Sequence, residues 1–179
     1  MNDSPADARF LPLFASWLST LGQDAAALGA VVQSNAPPSA RRYAAGGLND
    51  LFKSLDLIPD GIDDLGFCDD AFVLRIAAKL GSADGGTPEH PRLMELAAEA
   101  AEVEAFLGPT YEKLVAYVEK LHTATVRGRT VDRILSEDEA RSAFLHEVTA
   151  WAKAYEAPSF SRDLKTLLKL RSYLSAKLL

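Results

Sequence analysis

The sequence predicts an all-α fold: a compact bundle of seven to eight helices with short connections. Three observations carry this. Apolar residues recur at helical spacing through most of the chain. No alternating run of useful strand length is present. Proline and glycine pairs punctuate the periodic stretches, at Pro37-Pro38, Gly85-Gly86 and Gly108-Pro109.

The elements follow in order. Phe10, Leu13, Phe14, Trp17, Leu18 and Leu21 form one helical face, with Pro12 tolerated in the first turn of a helix starting near Leu11. Ala25, Leu28 and Val32 continue that face, so the helix is expected to bend at Gly22 rather than stop. Pro37-Pro38 ends it. Ser39 is the expected cap of a second helix facing Tyr43, Ala44, Gly47, Leu48, Leu51, Phe52 and Leu55. Gly46-Gly47 inside it costs on the order of 1–2 kcal/mol relative to two alanines. The pair reads either as a close backbone approach or as a locally weak helix.

Asp69 or Asp70 is expected to cap a third helix, facing Phe72, Val73, Ile76, Ala77 and Leu80. Thr87-Pro88-Glu89 reads as the start of a fourth, with Leu93, Leu96, Ala100, Val103 and Leu107 on its face. Gly108-Pro109 breaks it, and Tyr111, Leu114, Val115, Val118 and Leu121 belong to the next. Val126 to Arg133 reads as a polar connection. Ser136 with Glu139 reads as a capping box before Ala140, Phe144, Val148, Trp151 and Tyr155. Pro158 stops that helix. Ser161 is the expected cap of the last, which carries Leu164, Leu167, Leu168, Leu170, Leu174 and Leu178. Residues 1–80 form an N-terminal half and 88–179 a C-terminal half. The Gly- and Ser-rich stretch 81–87 links them, and the halves are expected to pack as one unit.

Composition narrows the function. The 179 residues are 48% hydrophobic, enough to bury a core without disulfide or metal staples. Cys68 is the only cysteine, which excludes an intrachain disulfide and fits a cytoplasmic protein. A net charge of −6 argues against nucleic acid as main partner. The acidic start MNDSPADARF does not read as a signal peptide, and no apolar run is long enough to span a membrane.

Catalytic signatures are sparse. His146-Glu147 begins like a zinc-protease motif, but Ala150 stands where the second histidine belongs. His90 and His122 fall on other helices, and His122 reads as a helix-end histidine near a carbonyl. No phosphate loop or nucleophile elbow is present, and no cofactor is implied.

What stands out is an acidic bend between the second and third helices. It holds Asp56, Asp60, Asp63, Asp64, Asp69 and Asp70 with no base among them. Such crowding needs compensation. The carboxylates read as helix caps, as a recognition surface for a basic partner, or as hard ligands for a divalent cation. Their spacing misses the EF-hand ladder, which disfavours the cation. The last helix is basic, with Arg162, Lys165, Lys169, Arg171 and Lys177 against Asp163. That reads as a solvated face, or as a docking face for an acidic partner or for the acidic bend itself. Arg127, Arg129 and Arg133 form a smaller basic group.

The run Asp56-Leu57-Ile58-Pro59-Asp60, then Leu65-Gly66-Phe67 and Asp69-Asp70, resembles the YkvA-like family, bacterial proteins defined by a domain of unknown function. The match covers about residues 43–80. It departs from the family at Ser54, where a proline is usual, and at Gly61, where an apolar residue is usual. The resemblance implies a fixed helical motif, with Leu57, Ile58 and Leu65 plugged into the core, Pro59 setting φ, and Gly61 and Gly66 allowing turns. The expected result is a rigid bend with its charges outward. The resemblance itself implies little function. The missing catalytic constellation and the two charged surfaces lead to the expectation of a non-catalytic interaction or regulatory module, a candidate component of a bacterial regulatory complex, with a small Ras-like GTPase or its regulatory scaffold as candidate partner. The alternative is a divalent-metal protein or enzyme using the carboxylates from Asp56 to Asp70.

Overall fold

The computed structural model describes residues 5–53, 57–62, 64–83 and 89–178. Among them eight α-helices succeed one another and no strand forms, in agreement with the predicted class. They are α1 (Phe10–Gln33), α2 (Pro38–Asp50), α3 (Cys68–Gly81), α4 (Pro91–Leu107), α5 (Thr110–Glu119), α6 (Val131–Ser136), α7 (Asp138–Ala154) and α8 (Leu164–Lys177). Short 3₁₀ turns precede α1 and follow α5.

The first helix is the spine. Its predicted face is buried from Phe10 to Val32, with Leu13 half-buried. Phe14 sits at the centre of an aromatic cluster, its ring 4.9 Å from Phe106, 5.1 Å from Phe72 and Trp17, and 5.5 Å from Phe10. The edge-to-face contacts among these rings add to their area burial. Gly22 does not interrupt α1. A Cβ there would stand 2.9 Å from the Ala152 carbonyl oxygen, so the glycine admits α7 against the spine.

The paired glycines of α2 have a similar cause. A Cβ on Gly47 would lie 3.2 Å from the Ala77 Cβ, and one on Gly81 3.0 Å from the Ala40 Cα. Early α2 thus meets late α3, and the two pack antiparallel at close range. Gly46 faces Leu121 instead. The close-approach reading therefore holds for Gly47, while a Cβ on Gly46 would stand 3.4 Å from the Leu121 Cβ, an ordinary contact.

Helix α3 is enclosed on nearly every side, with only Lys79, and partly Leu80, reaching solvent. Arg75 in its middle is consequently buried completely. Its Nε donates to Glu99 Oε2 at 2.7 Å, its Nη1 to the Ala71 carbonyl at 3.0 Å, and its Nη2 lies 3.5 Å from Asp24 Oδ2. The guanidinium rests 4.0 Å from the Trp17 ring centroid. Arg92 of α4 donates to the other Asp24 oxygen at 2.8 Å. Thr20 Oγ1 adds a hydrogen bond to Asp24 at 3.2 Å. Two acids and two arginines thereby tie α1, α3 and α4 together.

Several helix starts differ from expectation. The α2 cap position is Pro37, with Pro38 already helical, so Ser39 lies inside the helix. Phe67, not Asp69 or Asp70, occupies the cap position of α3. The expected capping box fails because Ser136 closes α6, and Glu137, the cap position of α7, makes no side-chain capping bond. Asp163, not Ser161, caps α8, its Oδ1 accepting from the Lys165 N–H at 3.0 Å. The fourth helix begins at Pro91; Thr87 and Pro88 lie outside the described residues.

The stretch read as a connection holds α6, capped by Thr130, and a two-residue turn. Val126 and Arg129 exchange backbone hydrogen bonds of 3.0 and 3.1 Å, with Arg127 at φ 51° and Gly128 at φ 77°. Two successive positive φ values define the tight reversal that matches strand twist. Side chains from both sequence halves share one core, as the contacts of Phe14 and Phe72 with Phe106 show. Of the stretch 81–87, residues 84–87 lie outside the described residues. No helix among the described residues is long and apolar enough to cross a membrane.

Candidate functional site

The acidic bend is seated in the core on both sides of its turn. Leu57 and Ile58 are buried, Pro59 and Asp60 are exposed, and Leu65 is buried again. The chain then turns on its own backbone. Ile62 N–H donates to the Pro59 carbonyl at 3.0 Å, and Gly66 N–H donates to the Ile62 carbonyl at 2.9 Å. Gly66 packs so closely that a Cβ would fall 2.2 Å from the Asp60 carbonyl oxygen. Around Gly61 there is open space.

Two residues of the bend adopt left-handed backbone, Asp64 at φ 67° and Phe67 at φ 65°. An aspartate accepts that conformation readily; a phenylalanine does so at a cost of about 1–2 kcal/mol. Phe67 is held by its ring, which packs edge-on against Tyr155 at 5.3 Å and Trp151 at 6.2 Å. Asp64 Oδ1 accepts from the Ser161 N–H at 2.8 Å. The bend is thus fastened to the end of α7 and to the segment leading into α8.

The six aspartates separate by environment. Asp56 and Asp63 lie outside the described residues. Asp60 is exposed, and the partial burial of its carboxyl raises its pKa. Asp64 is half-buried. The outward expectation fails for Asp69 and Asp70, which are buried in the first turn of α3. There the positive end of the helix offsets part of the cost of their charge. Asp69 Oδ2 also accepts from the Ile58 N–H at 3.1 Å, which clamps the start of the bend to the start of α3. Burial, then Asp69 and Asp70, push the neighbouring Cys68 thiol far above its ordinary value, so it is no thiolate nucleophile. Among the described residues no three metal-ligating side chains converge.

A second polar knot lies close by. Asp50, buried at the end of α2, accepts from the Tyr117 hydroxyl at 2.7 Å, and Lys53 Nζ lies 3.3 Å from that hydroxyl. Burial raises the Asp50 pKa above 3.8, while Tyr117 and Lys53 pull it down. A carboxyl whose folded-state pKa is raised contributes stability below the unfolded value and loses it as pH rises. Asp50→Asn keeps an acceptor for Tyr117 and removes the charge. The stability difference, variant minus wild type, is therefore expected to grow in the variant's favour from about pH 4 to about pH 7. Urea unfolding at intervals across that range checks this; a difference flat with pH contradicts the buried-charge account.

The bend borders a cleft of about 750 Å³. Asp60 marks one edge; Leu51, Phe52 and Lys53 at the end of α2 mark another; Thr125 to Arg127 and Glu147, Ala150 and Trp151 of α7 complete it. Comparison with protein-family models, curated proteins and solved structures gives no match.

The cleft is amphipathic. Phe52 and Trp151 supply aromatic surface. Arg127 and Arg129 stand 5.0 and 5.4 Å from the Phe52 ring centroid, and both pair with Glu147. The Arg129 hydrogen bond, with the charges of Arg129 and Arg127, holds the Glu147 carboxyl below its ordinary value. Arg133 pairs with Glu137. Asp60 has no ion pair among the described residues. Among the described residues the cleft lining contains neither histidine nor cysteine, and Thr125 is its only hydroxyl.

Of the basic groups singled out by sequence, the arginine group meets the cleft through Arg127, and no base of the last helix is among its described lining residues. His122 Nδ1 is 2.6 Å from the Glu119 carbonyl oxygen, as expected of a helix-end histidine. Arg171 of α8 does not reach the acidic bend. It binds both Asp7 oxygens at 2.8 and 3.1 Å and stacks 4.3 Å from the Phe106 ring centroid. Sequence reasoning missed Phe52, Lys53, Glu147 and Trp151 as parts of one cleft, because they come from segments far apart in the chain.

Proposed function

We propose that this protein is a non-catalytic interaction module of a regulatory complex, and that it takes a segment of a partner protein in the cleft beside the acidic bend. The observation that carries the reading is the cleft itself. It offers aromatic floor at Phe52 and Trp151, a carboxylate at Asp60 that has no ion pair among the described residues, and the Lys53 side chain. A partner with an apolar side chain flanked by a base and an acid fits that pattern, and charge complementarity of this kind sets register and specificity. The rigid backing of the bend favours such a role, since little ordering entropy is lost on binding. The resemblance to the YkvA-like family implies a helical motif and little function; a small Ras-like GTPase, or its scaffold, is the candidate partner to test first.

Ala150→Arg places a long side chain into the cleft from the exposed face of α7, away from the core. Partner capture is expected to fall about tenfold or more, as for blocking the centre of an interface, with the thermal melt unchanged. Glu104→Arg, at an exposed position of α4, is the control and is expected to bind as wild type. Pull-down with quantitative recovery of each retained protein, followed by titration of a purified GTPase, measures this. Equal recovery by Ala150→Arg and wild type would remove the cleft as the contact.

A further inference from the structure

A separate hollow of about 260 Å³ opens between α5 and the end of α8. Lys113, Lys120 and Lys177 line it, together with Ala116, Tyr117 and Leu178. Lys113, Ala116, Tyr117 and Lys120 share one helical face by their spacing. Lys177 approaches from the facing helix. We infer that this hollow is a binding site for a phosphoryl-bearing anion.

Three observations support it. First, these three lysines converge on one hollow and, like the chain's other lysines, have no carboxylate among the described residues; Lys177 lies 5.9 Å from the Tyr173 ring centroid. The hollow is thus lined by three lysines with no acid among its described lining residues. Second, the helix ends explain only two of them. Lys120 stands at the end of α5 and Lys177 in the last turn of α8, where the negative helix end favours a base. Lys113 stands early in α5, near the positive end, where a base is disfavoured. An anion in the hollow offsets that placement. Third, the volume lies just under the roughly 300 Å³ at which ordinary organic-ligand pockets begin. It suits one or two phosphoryl groups, with any attached body lying outside. Lysines act there as mobile point charges on oxygen.

Tyr117 also borders the hollow, and its hydroxyl is committed to Asp50. It serves as wall and not as anion donor.

The test is calorimetric titration with pyrophosphate at low ionic strength, on the full chain. Wild type is expected to bind, and Lys113→Gln/Lys120→Gln/Lys177→Gln to bind about tenfold more weakly or not at all. Lys165→Gln/Lys169→Gln alters two other exposed lysines of α8 and is expected to stay within about twofold of wild type. Thermal melts confirm that the variants are folded. A parallel titration with ADP separates sources: tighter binding than pyrophosphate assigns the hollow to a nucleotide, equal or weaker binding to the phosphoryl group alone. No heat at millimolar pyrophosphate overturns the proposal. So does a triple variant that binds as wild type, or a control variant that loses as much as the triple.

Discussion

Replacing Arg75 by methionine is expected to cost about 3–5 kcal/mol, the range for removing one partner from a buried ion pair. The reason lies in what is left behind. Arg75 is 0% exposed and bridges Asp24, also 0% exposed, to Glu99. Methionine fills much of the volume but donates nothing. Asp24 then keeps Arg92 and Thr20, and Glu99 keeps its longer contact to Arg92 at 3.7 Å. The Trp17 ring also loses the cation stacked on it. For a domain whose total stability is of order 5–15 kcal/mol, such a loss removes a large share of the whole. Urea unfolding with linear extrapolation measures it. The double variant Asp24→Asn/Arg75→Met is expected to recover part of the loss, since the buried charge goes with its partner. A single-variant cost below about 1 kcal/mol would mean that the network contributes nothing beyond its volume.

That network also marks where sequence reading ends. The apolar stripe from Phe10 to Leu21 was legible because its spacing matches one helix face, and those residues line the core. Helix α3 was only half legible. It is buried almost all round, so Leu74 and Arg75, off its predicted stripe, are as deep as Phe72. A charged residue in such a helix carries no sign in sequence that it is inside, because Asp and Arg are ordinarily solvent-facing. The same default led to Asp69 and Asp70 being expected outside. The Val126–Arg129 turn was missed because Arg-Gly is not the Asn-Gly or Asp-Gly pair that announces such reversals. Caps failed where a proline or a short preceding helix took the position, as at Ser39 and Ser136. The cleft could not be read at all, since its walls meet only after α7 packs against α1 and brings Glu147, Ala150 and Trp151 to the acidic bend.

The two glycines of that bend are expected to respond oppositely to alanine, and the contrast tests whether the bend is a rigid piece of the core. Gly66→Ala puts a methyl 2.2 Å from the Asp60 carbonyl oxygen and 3.0 Å from its carbon. These are backbone atoms, so no side-chain rotation relieves the clash. The Gly66 N–H is meanwhile held to Ile62 at 2.9 Å. Moving the turn would drag Leu65 and Ile58 out of the core and strain the Asp69 clamp on Ile58. The expected cost is about 3 kcal/mol, at the upper end of overpacking losses. Gly61→Ala meets nothing within 4 Å, and Gly61 is not among the residues with positive φ. Alanine there restricts the unfolded chain more than the folded one, so stability is expected to be unchanged or to rise by up to about 1 kcal/mol. Chemical denaturation of both variants beside wild type reads the difference. Equal, small effects would show a bend that yields. In that case Asp60 would no longer be held in place at the cleft edge, and the recognition surface proposed for it would lose its rigid support.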